Sequence, residues 1–243
     1  MVLLIVLPTY NEAPNIERVC TGILAFEWTR LLVVDDGSPD GTAALAEGVA
    51  ARFPGRMEVL RRTGERGLGL AYVDGLSRAL ASGADAIGQM DADLSHNPDH
   101  LPALREGLSA HDLVIGSRYV PGGAIRNWPS HRVALSGFAN RYIRLITGLK
   151  PRDCTSGFRL WRRDALARIP IADARANGYA FLTEMLYQAA RHGCRIGEVP
   201  ITFVERQEGY SKVSSKVLAE SLRTPWRLAF RGGRVGSAAR AQP

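Results

Sequence analysis

Two aspartates separated by one residue, Asp91 and Asp93, close a run rich in apolar residues and are the side chains best suited to chemistry in this 243-residue chain. Where a strand bends into a loop, carboxylates at i and i+2 can both turn toward one divalent cation. Oxygen ligands suit Mg²⁺ or Mn²⁺, and proteins commonly hold Mg²⁺ with one or two carboxylates plus substrate phosphates. The segment Asp91-Ala92-Asp93 and the Ser95 hydroxyl therefore predict a metal site for a phosphorylated ligand. The alternative is a pair of caps before the helix that begins near Pro98.

A second acidic pair, Asp35 and Asp36, opens the segment DDGSPDG. Carboxylates at this position can accept hydrogen bonds from ribose hydroxyls or from the N–H groups of a base. Tyr10 can stack on a base, and Glu12 can accept a hydrogen bond from a nucleoside. DDGSPDG is also strong turn chemistry by itself, and Tyr10 has the alternative of a place in the core.

Cations follow the predicted fifth strand, and those near the expected pocket are Arg118, Arg126, Arg132, Arg206 and Lys212. Arginine can hold phosphate oxygens with two parallel hydrogen bonds, although each of these cations taken alone could be a solvated surface charge. The loop RQEGYSK contains a glycine between Arg206 and Lys212, so it could close over a diphosphate.

The elements that must position these residues alternate along the first half of the chain. Strand patterns cover residues 3–7, 31–36, 57–62, 86–93 and 112–117, and helical patterns cover 14–26, 41–53, 69–82 and 98–109. Such alternation predicts an α/β fold with a Rossmann-like, doubly wound, mostly parallel sheet. In such sheets the ligand crevice lies beyond the carboxyl ends of the strands, where these polar residues collect. We therefore expect four strand ends to meet at one pocket.

The second half of the chain is less regular. We predict a loop over 119–131, a helix over 132–147, a loop leading into a short helix over 152–166, a helix over 178–193 and one strand over 194–204. The expected organisation is a catalytic domain over 1–213, an amphipathic helix over 214–231 and a disordered tail over 232–243.

Composition limits the classes of partner. The net charge of +7 and a pI near 9.7 favour nucleic acid, an anionic membrane or a phosphorylated substrate. The cations are dispersed and the strand-end carboxylates would repel a phosphate backbone, which argues against a nucleic-acid-binding module. Three cysteines without a close pair indicate a reducing compartment, and no stretch approaches the ~20 apolar residues needed to span a bilayer.

Eight segments in order resemble the dolichol- or polyprenol-phosphate mannosyltransferases of the large inverting glycosyltransferase family with a type A fold. The matching segments are LPTYNEAPNIE, VVDDGSPDGT, RRTGERGLGLA, QMDADLSHNP, GSRYVPGGAIRNWPSHR, CTSGFRLWRR, GYAFLTEML and EVPITFVERQEGYSK. They extend from about residue 3 to residue 216. The resemblance implies transfer of mannose from GDP-mannose to a polyprenyl phosphate, with Mg²⁺ or Mn²⁺ as cofactor and inversion to a β-linked product.

Carried over by position, the resemblance implies a set of contacts. The GDP-mannose contacts fall on Pro8, Tyr10, Glu12, Asp35, Asp36, Asp91, Ala92, Asp93, Arg206 and Lys212. The metal ligands would be Asp91 and Asp93, with Ser95 where some relatives have Gln, and the lipid phosphate would meet Arg118, Arg132 and Ser136. The catalytic set would be Asp91, Asp93, Arg206 and Lys212.

A phosphate acceptor carries about −1.5 to −2 charge at neutral pH and is already a nucleophile, so we expect no side chain to act as general base. Glu184 is the carboxylate to test for that role, although it could pair with a cation instead.

The predicted helices around residues 132–147 and 214–230 combine apolar residues with arginines, which is typical of helices at an anionic interface, although a core-packing role fits each as well. We therefore expect a peripheral protein at the cytoplasmic face of a membrane, alone or with a separate membrane-spanning partner. Alternatives are a UDP-glucose or other nucleotide-sugar enzyme acting on polyprenyl phosphate, a transferase to a sugar hydroxyl, and a nucleotide-sugar-binding module without activity.

Overall fold

The computed structural model describes residues 1–174, 179–205 and 215–235. Its strands are β1 (Leu3–Thr9), β2 (Thr29–Asp35), β3 (Met57–Arg61), β4 (Ala86–Gln89), β5 (Leu113–Ser117), β6 (Ala124–Arg126), β7 (Arg159–Arg162), β8 (Ile196–Pro200) and β9 (Thr202–Val204). Its α-helices are α1 (Ile16–Leu24), α2 (Thr42–Arg52), α3 (Leu68–Ala81), α4 (Leu101–Gly107), α5 (Ser130–Thr147), α6 (Arg163–Leu166), α7 (Tyr179–Arg191) and α8 (Ser215–Gly232).

Seven strands form one sheet in the order β3-β2-β1-β4-β7-β5-β8, and β6 pairs with β9 in a small parallel ribbon. Within the large sheet β7 is antiparallel to both of its neighbours, whereas every other pairing is parallel. The predicted α/β fold with a mostly parallel, doubly wound sheet is therefore confirmed. The strands are continuous apolar runs because helices cover both faces of the sheet, so residues pointing either way are buried.

The two faces have separate cores. Leu3, Ile5 and Leu7 of β1 pack with α1, α2 and α4 on one face. Leu4 and Val6 pack toward the other face, which α3, α5, α7 and α8 cover. This alternation follows from the two-residue period of a strand.

Three predictions for the second half were wrong in detail. The segment predicted as a loop before a short helix contains β7, the loop predicted over 119–131 contains β6, and the single strand predicted over 194–204 is divided between β8 and β9. Short strands with mixed polar and apolar residues give little periodicity, and each of these is fixed by partners distant in sequence.

The carboxy-terminal helix packs against α5 and α7. After it, the Val235 N–H donates to the Thr147 carbonyl oxygen at 2.8 Å. Residues 236–243, part of the predicted disordered tail, lie outside the described residues. No helix in the described part of the chain is both long and apolar enough to cross a membrane.

Candidate active site

The carboxyl ends of β1, β2, β4 and β5 lie along one edge of the sheet, because these strands run in the same direction. The predicted meeting of four strand ends needs one correction, since β7 separates β4 from β5. Because β7 is antiparallel, it starts where its neighbours end. The segment before it, residues 153–158, therefore enters this edge between the ends of β4 and β5.

At the ends of β1 and β2, the acidic pair Asp35 and Asp36 is held by other groups of the protein. Asp35 accepts hydrogen bonds from the Thr9 hydroxyl (3.3 Å) and the Ser38 N–H (3.0 Å). Asp36 forms an ion pair with Arg62 and accepts the Gly67 N–H at 2.7 Å. The turn predicted for DDGSPDG is therefore present, and it fixes two nearly buried carboxylates at the edge of the sheet.

The residues that end β1 lie beside this pair. Pro8 is buried in the part of β1 that extends past the β4 ladder, so its missing N–H leaves no strand partner unpaired. Glu12 accepts a hydrogen bond from the Asn15 amide at 3.0 Å and donates its own N–H to the Thr42 hydroxyl. Its carboxylate is thereby held at the start of α1.

Tyr10 is half-buried and is not a core residue. The Arg66 guanidinium lies 5.0 Å from the centre of the Tyr10 ring and donates to its hydroxyl at 2.5 Å. A cation over the ring face occupies the surface on which a base would stack.

At the end of β4, the acidic pair Asp91 and Asp93 lies in a loop whose own residues position Asp93. Asp93 Oδ1 accepts both the Ser95 hydroxyl at 2.5 Å and the Ser95 N–H at 3.1 Å. Leu94 between them has a left-handed backbone with φ of 61°, which is a strained conformation for a bulky residue and is typical of functional loops. Ser95 is therefore placed to orient Asp93, while Ala92 between the two aspartates is buried and packs into the core.

Asp91 is enclosed by groups that come from other elements. Its N–H donates to His96 Nδ1 at 3.2 Å, so the neutral His96 ring carries its proton on Nε2. A Cβ at Gly157 would lie 2.8 Å from Asp91 Oδ1, so a glycine is required for this close approach. Burial, followed by repulsion from Asp91, raises the pKa of Tyr72 well above its ordinary value.

The pair fits a hard divalent cation. No cluster of three or more His, Cys, Asp or Glu side chains suited to a metal occurs in residues 1–174, 179–205 and 215–235. Two carboxylates are, however, the protein ligands commonly found where substrate phosphates complete the coordination of Mg²⁺. Gly157 packs directly against the Asp91 carboxylate, so a larger residue there would displace this proposed ligand.

Arg118, just after β5, is held by a buried acid. Asp153 accepts the Arg118 Nε–H at 2.7 Å and the Nη2–H at 2.8 Å, and Thr155 accepts a further bond from Nη2. Burial alone would raise the pKa of Asp153, but the charge and hydrogen bonds of Arg118 hold it below its ordinary value. A charged acid therefore fixes the guanidinium in one orientation.

Aromatic rings connect the predicted phosphate-binding arginines with the metal loop. Phe203 of β9 lies against Arg118 (5.3 Å), His96 (5.6 Å) and Trp128 (5.3 Å). Arg132 lies over the Trp128 ring at 4.3 Å. The structure thus brings Arg118 and Arg132 to the same side of the molecule as the Asp91 loop.

Arg132 also forms an ion pair with Glu205 at 2.6 Å, and Ser136 follows it by one turn on α5. Residues four apart share a helix face, so Ser136 lies next to Arg132.

Arg206 and Lys212 lie outside the described residues, and their roles stay predictions.

Glu184 is nearly buried, and its Oε2 lies 3.4 Å from Arg227 of α8. The alternative of pairing with a cation is therefore the one that the structure shows. This contact joins α7 to α8.

Sequence reasoning missed Asp153, Gly157 and Arg159, which share the segment RDCTSGFR. Arg159 is fully buried and donates to the carbonyl oxygens of Ser156, Leu182 and Cys154. Burial lowers the pKa of Arg159 to about 10, so it remains a cation at neutral pH. The presence of an arginine in a sequence does not show whether its side chain is buried. The only signal in the sequence was that polar residues follow one another closely in this segment.

Comparison with known proteins agrees with this architecture. Residues 4–169 match the family described as Glycosyl transferase family 2. The chain is 43% identical over 221 residues to a polyprenol monophosphomannose synthase from Mycolicibacterium smegmatis, covering 90% of this chain and 83% of that one. It is 44% identical over 234 residues to an undecaprenyl-phosphate mannosyltransferase from Micrococcus luteus, covering 95% and 96% of the two chains.

Among solved structures, glucosyl-3-phosphoglycerate synthase from Mycobacterium tuberculosis, in complex with Mn²⁺, UDP and phosphoglyceric acid, shares the fold. Its TM-score is 0.68 at 21% identity, over 97% of this chain and 80% of that one. The sheet order, the polar strand ends and the sequence match agree, and the chain belongs to glycosyl transferase family 2, as a glycosyltransferase with the type A fold.

Proposed function

We propose that the chain transfers mannose from GDP-mannose to a polyprenyl phosphate and forms a β-linked polyprenyl phosphate mannose. The two relatives described above, at 43% and 44% identity, are a polyprenol monophosphomannose synthase and an undecaprenyl-phosphate mannosyltransferase. The observation that carries the proposal is the placement of Asp91 and Asp93 on the same edge as Arg118. Asp91 and Asp93 suit a metal ion that binds the diphosphate of the donor. Arg118, on the same edge, suits the phosphate of the acceptor.

The donor would bind over the ends of β1, β2 and β4. Asp35 and Asp36 are held at this edge, and Tyr10 offers a ring face once Arg66 moves aside. Asp91 and Asp93 would hold Mg²⁺ or Mn²⁺, which supplies charge neutralisation for the departing diphosphate when bound. Arg206 and Lys212 are proposed to add positive charge to the same group.

The acceptor phosphate would meet Arg118, Arg132 and Ser136. The phosphate oxygen of the acceptor is itself the nucleophile, so no side chain has to remove a proton from it. The site has to bring the acceptor phosphate and the donor diphosphate together. The pairing of Glu184 with Arg227 supports the absence of a general base. In-line attack by the phosphate oxygen on the anomeric carbon would break its bond to the diphosphate and invert the configuration.

We further propose that the protein works peripherally at the cytoplasmic face of a membrane, alone or beside a membrane-spanning partner. Large apolar side chains are exposed on α5 and α8, and these are Leu135, Phe138, Leu145, Leu222, Trp226 and Phe230. A lipid acceptor would then reach the site without leaving the bilayer. We treat 1–213 as the catalytic part and 214–231 as the helix that contacts this surface.

The test is incubation of purified protein with labelled GDP-mannose, Mn²⁺ or Mg²⁺ and a short polyprenyl phosphate in detergent. We expect label in the organic phase, and none when excess chelator is present. A parallel incubation with UDP-glucose examines the alternative donor. Label transfer from UDP-glucose alone would reject GDP-mannose as donor, and transfer that survives chelation would reject the metal.

A further inference from the structure

A cavity of about 730 Å³ lies beside α5, next to the end of β5, because its lining residue Tyr119 packs against Arg118. Four arginines line this cavity: Arg141, Arg144, Arg152 and Arg234. No acidic residue belongs to its lining in the described part of the chain. Arg118, Arg132 and Ser136 are also outside that lining. We call this feature the arginine cavity; its lining contains none of the residues assigned to the metal site or to the proposed acceptor site.

Three of its arginines, Arg141, Arg144 and Arg152, are not neutralised by a salt bridge in the described part of the chain. Arg141 and Arg144 form no ion pair among the residues that the structure describes, and Arg152 makes only a long 3.4 Å contact with the Tyr119 carbonyl oxygen through its guanidinium. Arg144 Nε and the Tyr119 hydroxyl are buried without a hydrogen-bond partner in this same part of the chain. A buried donor without a partner costs free energy, so clustered ones indicate a site built for a ligand that accepts hydrogen bonds. The charge indicates that the ligand is an anion.

The surroundings of the cavity indicate where the anion comes from. Leu145 lines the cavity and is 71% exposed. Phe138 lies two turns earlier on the same helix, and Trp226 and Phe230 stand exposed on α8, which packs against α5. The Tyr142 hydroxyl accepts a hydrogen bond from Trp226 Nε1 at 2.9 Å, which holds the two helices together. An anion site bordered by exposed apolar side chains fits a molecule with a charged head and apolar chains.

We propose that the arginine cavity binds the headgroup phosphate of an anionic phospholipid that is not a substrate, while the apolar side chains of α5 and α8 enter the bilayer beside it. This inference rests on the peripheral membrane association proposed above, but not on the identity of the sugar donor. Guanidinium groups hold phosphate oxygens with paired, charge-assisted hydrogen bonds, and the Tyr119 hydroxyl adds a neutral donor. Binding of a headgroup in the arginine cavity would set the orientation of the protein relative to the membrane surface.

The test is sedimentation of the full chain with phosphatidylcholine vesicles, with and without phosphatidylglycerol. For the double variant R141Q/R144Q we expect at least ~10-fold weaker binding to the anionic vesicles, from about 1 kcal/mol per basic side chain at such a surface. Tyr119→Phe keeps the charge and removes only a buried hydroxyl, and we expect about 3-fold weaker binding from one lost hydrogen bond. Both effects should vanish on vesicles of phosphatidylcholine alone.

Two charge-matched controls separate the cavity from general attraction. R223Q/R231Q removes two exposed arginines of α8 outside the cavity, and R18Q/R30Q removes two exposed arginines that do not line the cavity. We expect a smaller loss for the first control than for R141Q/R144Q, and none for the second. Equal losses in R141Q/R144Q and R223Q/R231Q, with Tyr119→Phe unchanged, would mean diffuse attraction and overturn the proposal.

Soluble probes settle the remaining alternatives. We expect calorimetry to show saturable binding of dihexanoyl phosphatidylglycerol and weaker binding of inorganic phosphate; equal affinities would make this a free-anion site. In detergent, R141Q/R144Q should keep the KM of the wild type for a short prenyl phosphate. A KM raised as much as in Arg118→Ala would assign the cavity to the acceptor. The detergent assay with wild-type protein tests the proposed function separately, so either proposal can fail alone.

Discussion

The strand-end edge of the sheet has two halves that hold their charges in different ways. In the carboxylate half, at the ends of β1, β2 and β4, the carboxylates of Asp35, Asp36 and Asp93 accept hydrogen bonds or form ion pairs with nearby groups, and Asp91 donates its N–H to His96. In the arginine half, at the end of β5 and the start of β7, Arg118 and Asp153 are an ion pair in which Asp153 is completely buried. Arg159 lies next to it, equally buried.

This difference in burial indicates which half of the edge contributes to both function and stability. Asp91 and Asp93 are partly exposed, so either carboxylate can lose its partner and be solvated by water, and these two positions can change at moderate cost to folding. A buried charge that loses its partner stays unsolvated, and breaking such a pair typically costs about 3–5 kcal/mol. We therefore expect substitutions of Asp91 and Asp93 to affect catalysis alone, and substitutions in the arginine half to affect both catalysis and stability.

The largest effect on turnover should come from Asp93→Ala. Loss of one fixed group that stabilises transition-state charge typically lowers kcat by roughly 100- to 1,000-fold. The unfolding midpoint in urea should stay close to that of the wild type. Asp99→Ala, which removes an exposed acid from the same loop, is the matched control and should retain activity. Normal turnover of Asp93→Ala over a titration of Mn²⁺ would refute the assignment of this residue.

In the arginine half, Asp153→Asn should lower both stability and use of the acceptor. We expect a loss of about 3–5 kcal/mol in the free energy of unfolding, because Arg118 is left buried without its counter-charge. The double variant R118M/D153L removes both charges and should recover most of that stability, yet it should still fail to use polyprenyl phosphate. Recovery of acceptor use in the double variant would show that Arg118 has only a structural role.

An intermediate effect is expected where the two halves touch. In Gly157→Ala, the new Cβ would lie 2.8 Å from Asp91 Oδ1, so the carboxylate must move. Displacement of a metal ligand of this kind typically weakens metal affinity by about 10- to 100-fold. The apparent Mn²⁺ affinity, measured from turnover, reports the change. Gly48→Ala, at a helix position with open space around it, is the control, and an equal effect there would contradict the steric explanation.

The smallest effect concerns the pH dependence of stability. The pKa of Asp153 is held below its ordinary value in the folded protein, so the unfolded chain binds a proton first as the pH falls. Its contribution is complete above the unfolded value of about 4 and is lost as the pH drops through the folded value. Unfolding in urea at a series of pH values should show a steeper acid loss for the wild type than for R118M/D153L. Identical acid slopes would mean that Asp153 is not charged in the folded state.

Much of the carboxylate half could be predicted from the sequence. Apolar runs such as LLIVL end in polar residues, and parallel strands place all those ends on one edge, so Asp35, Asp36, Asp91 and Asp93 could be assigned to that edge in advance. The turn at DDGSPDG is equally local, because its residues hydrogen-bond over a few positions. These features depend on periodicity and on neighbouring residues.

The arginine half was decided by tertiary structure. Nothing local distinguishes β7 from a loop, and its antiparallel direction is set by pairing with β4 and β5. That direction brings Asp153 to Arg118, 35 residues earlier in the chain, and brings Gly157 to Asp91. Burial of a charged side chain depends on which distant groups surround it and neutralise it, and a pattern of residue types along the chain does not contain that information.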